Sequence, residues 1–160
     1  MNGLPQHYLQ RALRAQVYDV ARRTPLDPAP KLSSRIGVEL LLKREDLQPT
    51  FSFKLRGAYN CIHRLDAEAR ARGVVAASAG NHAQGVALAA RELGVQARIY
   101  MPRTTPDIKV QAVAALGAEI LQTGDDFDTA CVAAIADAKA TGARFIHPFD
   151  DEDVIAGQGT

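Results

Sequence analysis

The chain has 160 residues, 47% hydrophobic and 23% charged, with 19 Lys+Arg against 18 Asp+Glu and a formal net charge of +1. That length suits one modest core, and the balanced charge makes no electrostatic case for nucleic acid or an anionic membrane. No apolar run approaches the roughly 18 residues of a membrane span, Cys61 and Cys131 suggest neither a metal knuckle nor a disulfide framework, and MNGLPQHYLQ lacks a secretory pattern, so a reduced cytoplasmic enzyme is expected.

In chain order, YLQRALRAQVYDVA (8–21) predicts a helix, RTPLDPAP (23–30) a turn-rich connection, and VELLLKRED (38–46) a strand with polar residues beyond its end. LQPT (47–50) interrupts, and Ser52 can cap a helix running from about residue 53 to 65. From residue 73 one unit repeats. GVVAAS (73–78) reads as a strand, and NHAQGVALAARELG (81–94) as a helix with Val86, Ala89, Ala90 and Leu93 on one face and Gly94 as its stop. VQARIYM (95–101) is the next strand. A helix follows, with Thr105 as its cap, Pro106 at its first position and Gly117 at its end. AEILQ (118–122), the helix in DDFDTACVAAIADAKATG and the strand in ARFIHP complete the series. Strands beginning near 74, 96, 118 and 144 with helices between them predict an α/β fold, a parallel sheet with helices on both faces.

Two stretches carry chemistry. The first is TFSFKLRGAYN (50–60), which places Lys54, one of five lysines against fourteen arginines, in the first turn of a helix between aromatics. The helix's positive end and partial burial disfavour the ammonium form, and a neutral amine can attack a carbonyl to form a Schiff base or act as a base. Phe51 and Phe53 can wall such a group. The plain alternative is a snorkelling lysine with both phenylalanines packed in the core. The second stretch is SAGNHAQG (78–85), at a strand-to-helix junction. Ser78 can cap, Gly80 permits tight or left-handed backbone, Asn81 both donates and accepts, and the exposed N–H groups suit a carboxylate or phosphate. Its alternative is a capped turn, with His82 either a base or a residue bonded only locally. KRED (43–46) reads as a strand end that is either salt-bridged or simply solvated. DD (125–126) is explained by helix capping and DDED (150–153) by a solvated turn, so no metal is expected at either.

Together, KREDLQPTFSFKLRGAYN (43–60), SAGNHAQGVALAARELG (78–94), DIKV (107–110) and VIAGQGT (154–160) closely resemble the threonine dehydratases (threonine ammonia-lyases), pyridoxal-phosphate enzymes of the tryptophan synthase β fold. The start, YLQRALRAQVYDVARRTPL (8–26), looks more like the biosynthetic type. The resemblance implies that Lys54 binds pyridoxal 5'-phosphate covalently and that Phe53 packs beside it. It also implies that Asn81 hydrogen-bonds its phenolic oxygen, and that Ser78, Ala79, Gly80, Asn81 and His82 receive the substrate carboxylate. The implied reaction turns L-threonine into 2-oxobutanoate and ammonia, as the first step of isoleucine biosynthesis, with L-serine as a second substrate. A serine racemase, a β-replacement synthase of the same fold and a non-enzymatic α/β interaction module are the alternatives.

The resemblance assigns residues 1–54 to the opening of a large cofactor domain, 55–153 to a small α/β domain and 154–160 to the return to the large one. The Gly-Gln-Gly-Thr ending reads as an internal turn, so the chain is expected to be an amino-terminal piece, inactive alone. The phosphate cradle, the partner of the pyridine nitrogen and an isoleucine-binding regulatory domain are expected beyond residue 160. The complete enzyme is expected to be a homo-oligomer acting on a small amino acid.

Overall fold

The computed structural model describes residues 4–160. Its core is a four-stranded parallel sheet in the order β5-β4-β3-β6, built from β3 (Val74–Ala77), β4 (Ala97–Met101), β5 (Glu119–Gln122) and β6 (Arg144–Phe145). The four residues of β3 are all buried, as an apolar strand paired on both sides requires. Successive side chains of β3 face opposite ways. Val74 and Ala76 pack with Ile99, Val86 and Ala90, whereas Val75 and Ala77 pack with Ala134 and Ala143. Val86 and Ala90 come from α5 (Asn81–Glu92) on the first face and Ala134 from α7 (Phe127–Thr141) on the second, while Ile99 belongs to β4 and Ala143 follows α7. Alanines on the buried stripes let both backbones lie close to the sheet. The repeated strand–helix pattern and the parallel sheet are therefore as expected.

Each helix start has a local cause. Asp126 accepts the Thr129 N–H at 2.8 Å to cap α7, and Asp151 accepts from Asp153 and Val154 to cap α8 (Glu152–Gln158). The acidic run 150–153 is thus not a solvated turn. Asp151 also pairs with Arg144, Glu152 with Arg11, and Asp153 with Arg11 and Arg64. Among the described residues, no group of three His, Cys, Asp or Glu side chains is placed to hold a metal ion. Thr105 does not cap α6 (Asp107–Ala114). Its hydroxyl is buried without a partner, and Pro106 is the cap residue.

The first third departs further from expectation. Helix α1 (Leu4–Leu13) ends eight residues before position 21, because Asn60 takes the Gln16 N–H at 3.0 Å and Val17 and Ala21 turn into the core. A short helix α2 (Pro30–Ile36) and a two-stranded antiparallel pair, β1 (Leu26–Pro28) with β2 (Leu41–Lys43), occupy the expected connection and strand. Helix α3 (Lys54–His63) follows, then α4 (Ala67–Arg72), which sequence reading did not identify. No helix of the described residues is long and apolar enough to cross a membrane.

Candidate functional site

Lys54 opens α3. Its N–H reaches Ser52 Oγ at 3.3 Å, so Ser52 does serve the helix start, although Phe53 occupies the cap position itself. The residue three before Lys54, Phe51, has φ of +53°, the left-handed region that a bulky side chain rarely adopts, and its ring is 77% exposed. Phe51 therefore packs in no core, and only Phe53 walls the lysine, with its ring centroid 5.2 Å from Nζ. Lys54 Nζ donates to the Pro148 carbonyl at 2.8 Å. Partial burial lowers its pKa, which raises the neutral, nucleophilic fraction of the amine.

The second stretch meets the first through a glycine. A Cβ on Gly85 would lie 3.0 Å from both the Lys54 carbonyl carbon and the Leu55 nitrogen. Only hydrogen lets α5 approach the start of α3 this closely, and the approach brings the amino ends of both helices together.

At the start of α5, Ser78 does not cap the helix; its Oγ accepts the Gly80 N–H at 3.1 Å, and Gly80 takes the cap position. Gly80 has φ −142° and ψ −141°, so the left-handed backbone permitted there is absent, and a Cβ would meet nothing within 4 Å. Ser78, Ala79 and Gly80 are half-buried and Asn81 is exposed. The first N–H groups of α5 lack a preceding turn to bond, so this loop offers backbone donors and one free amide into open space. That arrangement can receive a carboxylate.

His82 is different. It is 4% exposed, and its Nε2 lies 2.9 Å from the Ile146 carbonyl, a partner 64 residues away rather than a local one. Since a carbonyl only accepts, Nε2 carries the proton and Nδ1 is a bare acceptor, buried without a partner. Burial first, then the nearby charge of Lys54 and that of His147, outweigh the Ile146 bond and hold its pKa at about 4. His82 is therefore neutral at physiological pH.

KRED is only partly solvated. Arg44 and Asp46 pair on the surface, but Glu45 receives Arg56 Nε at 2.8 Å and Nη2 at 2.9 Å. Thr24 donates to Glu45 at 2.6 Å and Gln48 at 3.2 Å. The Arg56 side chain is 3% exposed. Burial alone would raise the Glu45 pKa; hydrogen bonds from Arg56, Thr24 and Gln48 outweigh it and hold the value at about 2. This network braces the segment that leads to Lys54. Nothing in the spacing of KRED and KLR reveals it, because a pair eleven residues apart across a break has no periodic signature.

A cavity of about 610 Å³ lies between α4, β6 and α7, and neither Lys54 nor Asn81 lines it. The candidate site is defined by its chemistry and is open on this chain's surface.

Residues 17–160 match the family described as pyridoxal-phosphate dependent enzyme. A biosynthetic chloroplastic threonine dehydratase of Solanum lycopersicum is 57% identical over 96% of the chain and 25% of its own length. A biosynthetic L-threonine dehydratase of Escherichia coli is 51% identical over 100% of the chain and 32% of its own length. The chain thus spans about a quarter to a third of the curated relatives it matches. Among solved structures, the processed threonine deaminase isoform 2 of Solanum lycopersicum superposes with a TM-score of 0.92 at 50% identity, covering 98% of this chain and 43% of that one. Maize serine racemase gives 0.86 at 34% identity, covering 94% and 46%.

Proposed function

The chain belongs to the pyridoxal-phosphate-dependent enzymes, and from that premise we propose that it supplies the reactive lysine and the substrate loop of an L-threonine ammonia-lyase. The observation that carries this reading is the meeting of a partly desolvated Lys54 amine with the open loop 78–82 across the Gly85 contact. The residues fit the cofactor. Lys54 presents an amine of lowered pKa, Phe53 an apolar ring beside it, and Asn81 an exposed amide.

In this reading Lys54 binds pyridoxal 5'-phosphate covalently, Phe53 packs against it, and the Asn81 amide donates to its phenolic oxygen. The bound cofactor supplies the electron sink that allows a proton to leave the substrate Cα. The N–H groups of Ala79, Asn81 and His82, left open because Ser78 donates to Tyr100 and Gly80 to Ser78 Oγ, hold the substrate carboxylate, and Lys54 Nζ takes the Cα proton. Loss of the β-hydroxyl as water, then hydrolysis by water, converts L-threonine to 2-oxobutanoate and ammonia. L-serine would give pyruvate by the same route.

The reading includes the division into a large-domain opening at 1–54, a small domain at 55–153 and a return at 154–160. It also includes a cytoplasmic, isoleucine-regulated homo-oligomer. Its place at the start of isoleucine synthesis is in line with the biosynthetic names of the relatives.

The test is reductive trapping. Borohydride treatment of the complete, cofactor-loaded enzyme should leave the pyridoxyl group on Lys54 by peptide mass spectrometry, and Lys54→Ala should lower its 2-oxobutanoate formation about 10³-fold or more. A label on Lys43 or Lys109 instead would overturn the assignment. The likeness to a serine racemase favours a second reading, proton return at Cα. Incubation with L-serine separates the two: pyruvate marks the lyase and D-serine the racemase.

A further inference from the structure

Two carbonyls of one short segment hold two side chains of the site. Ile146, directly after β6, accepts from His82 Nε2 at 2.9 Å, and Pro148 accepts from Lys54 Nζ at 2.8 Å. Only His147 separates them. The Pro148 ring fixes its own φ and restricts His147, which narrows the conformations that join the Ile146 peptide to the Pro148 carbonyl. The turn beyond is also tied. His147 Nδ1 accepts the Asp150 N–H at 2.7 Å and the Phe149 N–H at 3.3 Å, and Gln158 reaches the Pro148 carbonyl at 3.4 Å.

We propose that His82 is a positioning residue for Lys54. By pinning the Ile146 carbonyl it sets the place of the Pro148 carbonyl, which holds the lysine amine ready for its carbonyl partner. Three features support this role over that of an acid or base. The Nε2 proton is committed to Ile146, Nδ1 is sealed from solvent, and the ring is 4% exposed. Burial first, then the facing charges of Lys54 and His147, keep the ring neutral, so its single proton stays on Nε2 with Ile146 and Nδ1 has none to give as an acid. The conjunction is a device in which a buried neutral donor on α5 governs an amine on α3 through a loop that belongs to neither helix.

The inference rests on the reading of Lys54 as the cofactor-binding amine, and one experiment separates failure of the two. The rate of pyridoxal phosphate attachment, trapped with borohydride and resolved by peptide, is compared at Lys54 and at Lys31, Lys43, Lys109 and Lys139. Absence of label at Lys54 in the unsubstituted protein defeats the site reading itself. Given that label, His82→Leu should slow attachment at Lys54 about tenfold while the other four lysines keep their rates. His82→Gln, which can present an amide N–H at similar reach, should restore most of it. Equal rates at Lys54 in His82→Leu and unsubstituted protein would overturn the proposal, as would a uniform change at all five lysines. The nitrogen-15 spectrum of the unsubstituted protein gives an answer even where His82→Leu does not fold. A protonated, slowly exchanging Nε2 on a neutral ring at pH 6 supports the clamp, and a proton on Nδ1 refutes it.

Discussion

The sheet region from residue 73 to 146 and the amino-terminal stretch before Lys54 are built by different means. In the first, β3 has no exposed residue, and alanine-rich helices close both faces of the sheet with apolar contacts. In the second, Leu26, Leu32, Ile36, Val38, Leu41, Leu42 and Leu47 are exposed, and order comes from Glu45, Arg56, Gln48 and Thr24. Apolar burial is non-directional and tolerates small shifts, whereas a buried charge network holds only while every partner is present. Lys54 stands at the seam between them. Its helix packs on the sheet region, and the segment preceding it hangs on the polar network.

Removing Arg56 should expose that contrast most strongly. Arg56→Met leaves Glu45 without its cation and should cost about 3–5 kcal/mol, read from urea unfolding. Amide exchange should accelerate first around Val17–Ala21 and Gln48, while β3 keeps its protection. Equal loss of protection in both regions would show that they unfold as one unit and remove the distinction.

The same contrast governs what the sequence revealed. The strand–helix repeats were legible because every buried side chain there answers to a local period, as Val74 and Ala76 do on one face and Val75 and Ala77 on the other. The placing of Lys54 and Asn81 at helix starts was legible from the residues around them, whereas their proposed roles rest on the family resemblance. The end of α1 was not, since it depends on Asn60 capturing the Gln16 N–H from 44 positions away. The same holds for Glu45, whose charge reads as solvated until the fold sets Arg56 beside it, and for His82, whose partner Ile146 lies on another strand's exit. At Gly80 the sequence permitted either a tight or a left-handed backbone without choosing between them, and the observed φ of −142° is not left-handed.

Acid should separate the regions next. Glu45 titrates near 2 in the fold against an ordinary value of 4.5, so the unfolded chain binds the proton more readily. Its contribution is fully present above about pH 4.5 and is lost as the pH falls toward 2. With allowance for solvent screening, the loss should be on the order of 2 kcal/mol. Unfolding of Glu45→Gln should be less sensitive to pH across that window than unfolding of the unsubstituted protein. Parallel pH profiles would place the acid sensitivity elsewhere.

Gly85→Ala probes the seam directly. Its new methyl would sit 3.0 Å from backbone atoms of Lys54 and Leu55, which cannot move without shifting the start of α3. Overpacking of this kind should cost about 1–3 kcal/mol and slow reductive labelling of Lys54 as well. A stable variant with unchanged labelling would show that the α3–α5 contact yields without disturbing the amine.

The smallest effect is expected five residues earlier, and its size is what makes it informative. Gly80 sits at the cap of α5 with negative φ, and a Cβ there meets nothing within 4 Å, so neither backbone strain nor contact opposes a methyl group. Exchanging a glycine cap for alanine should cost at most about 1 kcal/mol of unfolding free energy, well below the cost predicted at Arg56. The space that the methyl enters, however, is the space in front of the open N–H groups assigned to the substrate carboxylate. In the complete enzyme, Gly80→Ala should therefore raise the KM for L-threonine while lowering thermal stability only slightly and leaving borohydride labelling of Lys54 intact. A stable, fully labelled variant with unchanged KM would move the carboxylate away from this loop. A large loss of stability would instead show that the glycine serves the fold, and that the distinction between bracing the seam and shaping the site does not hold at residue 80.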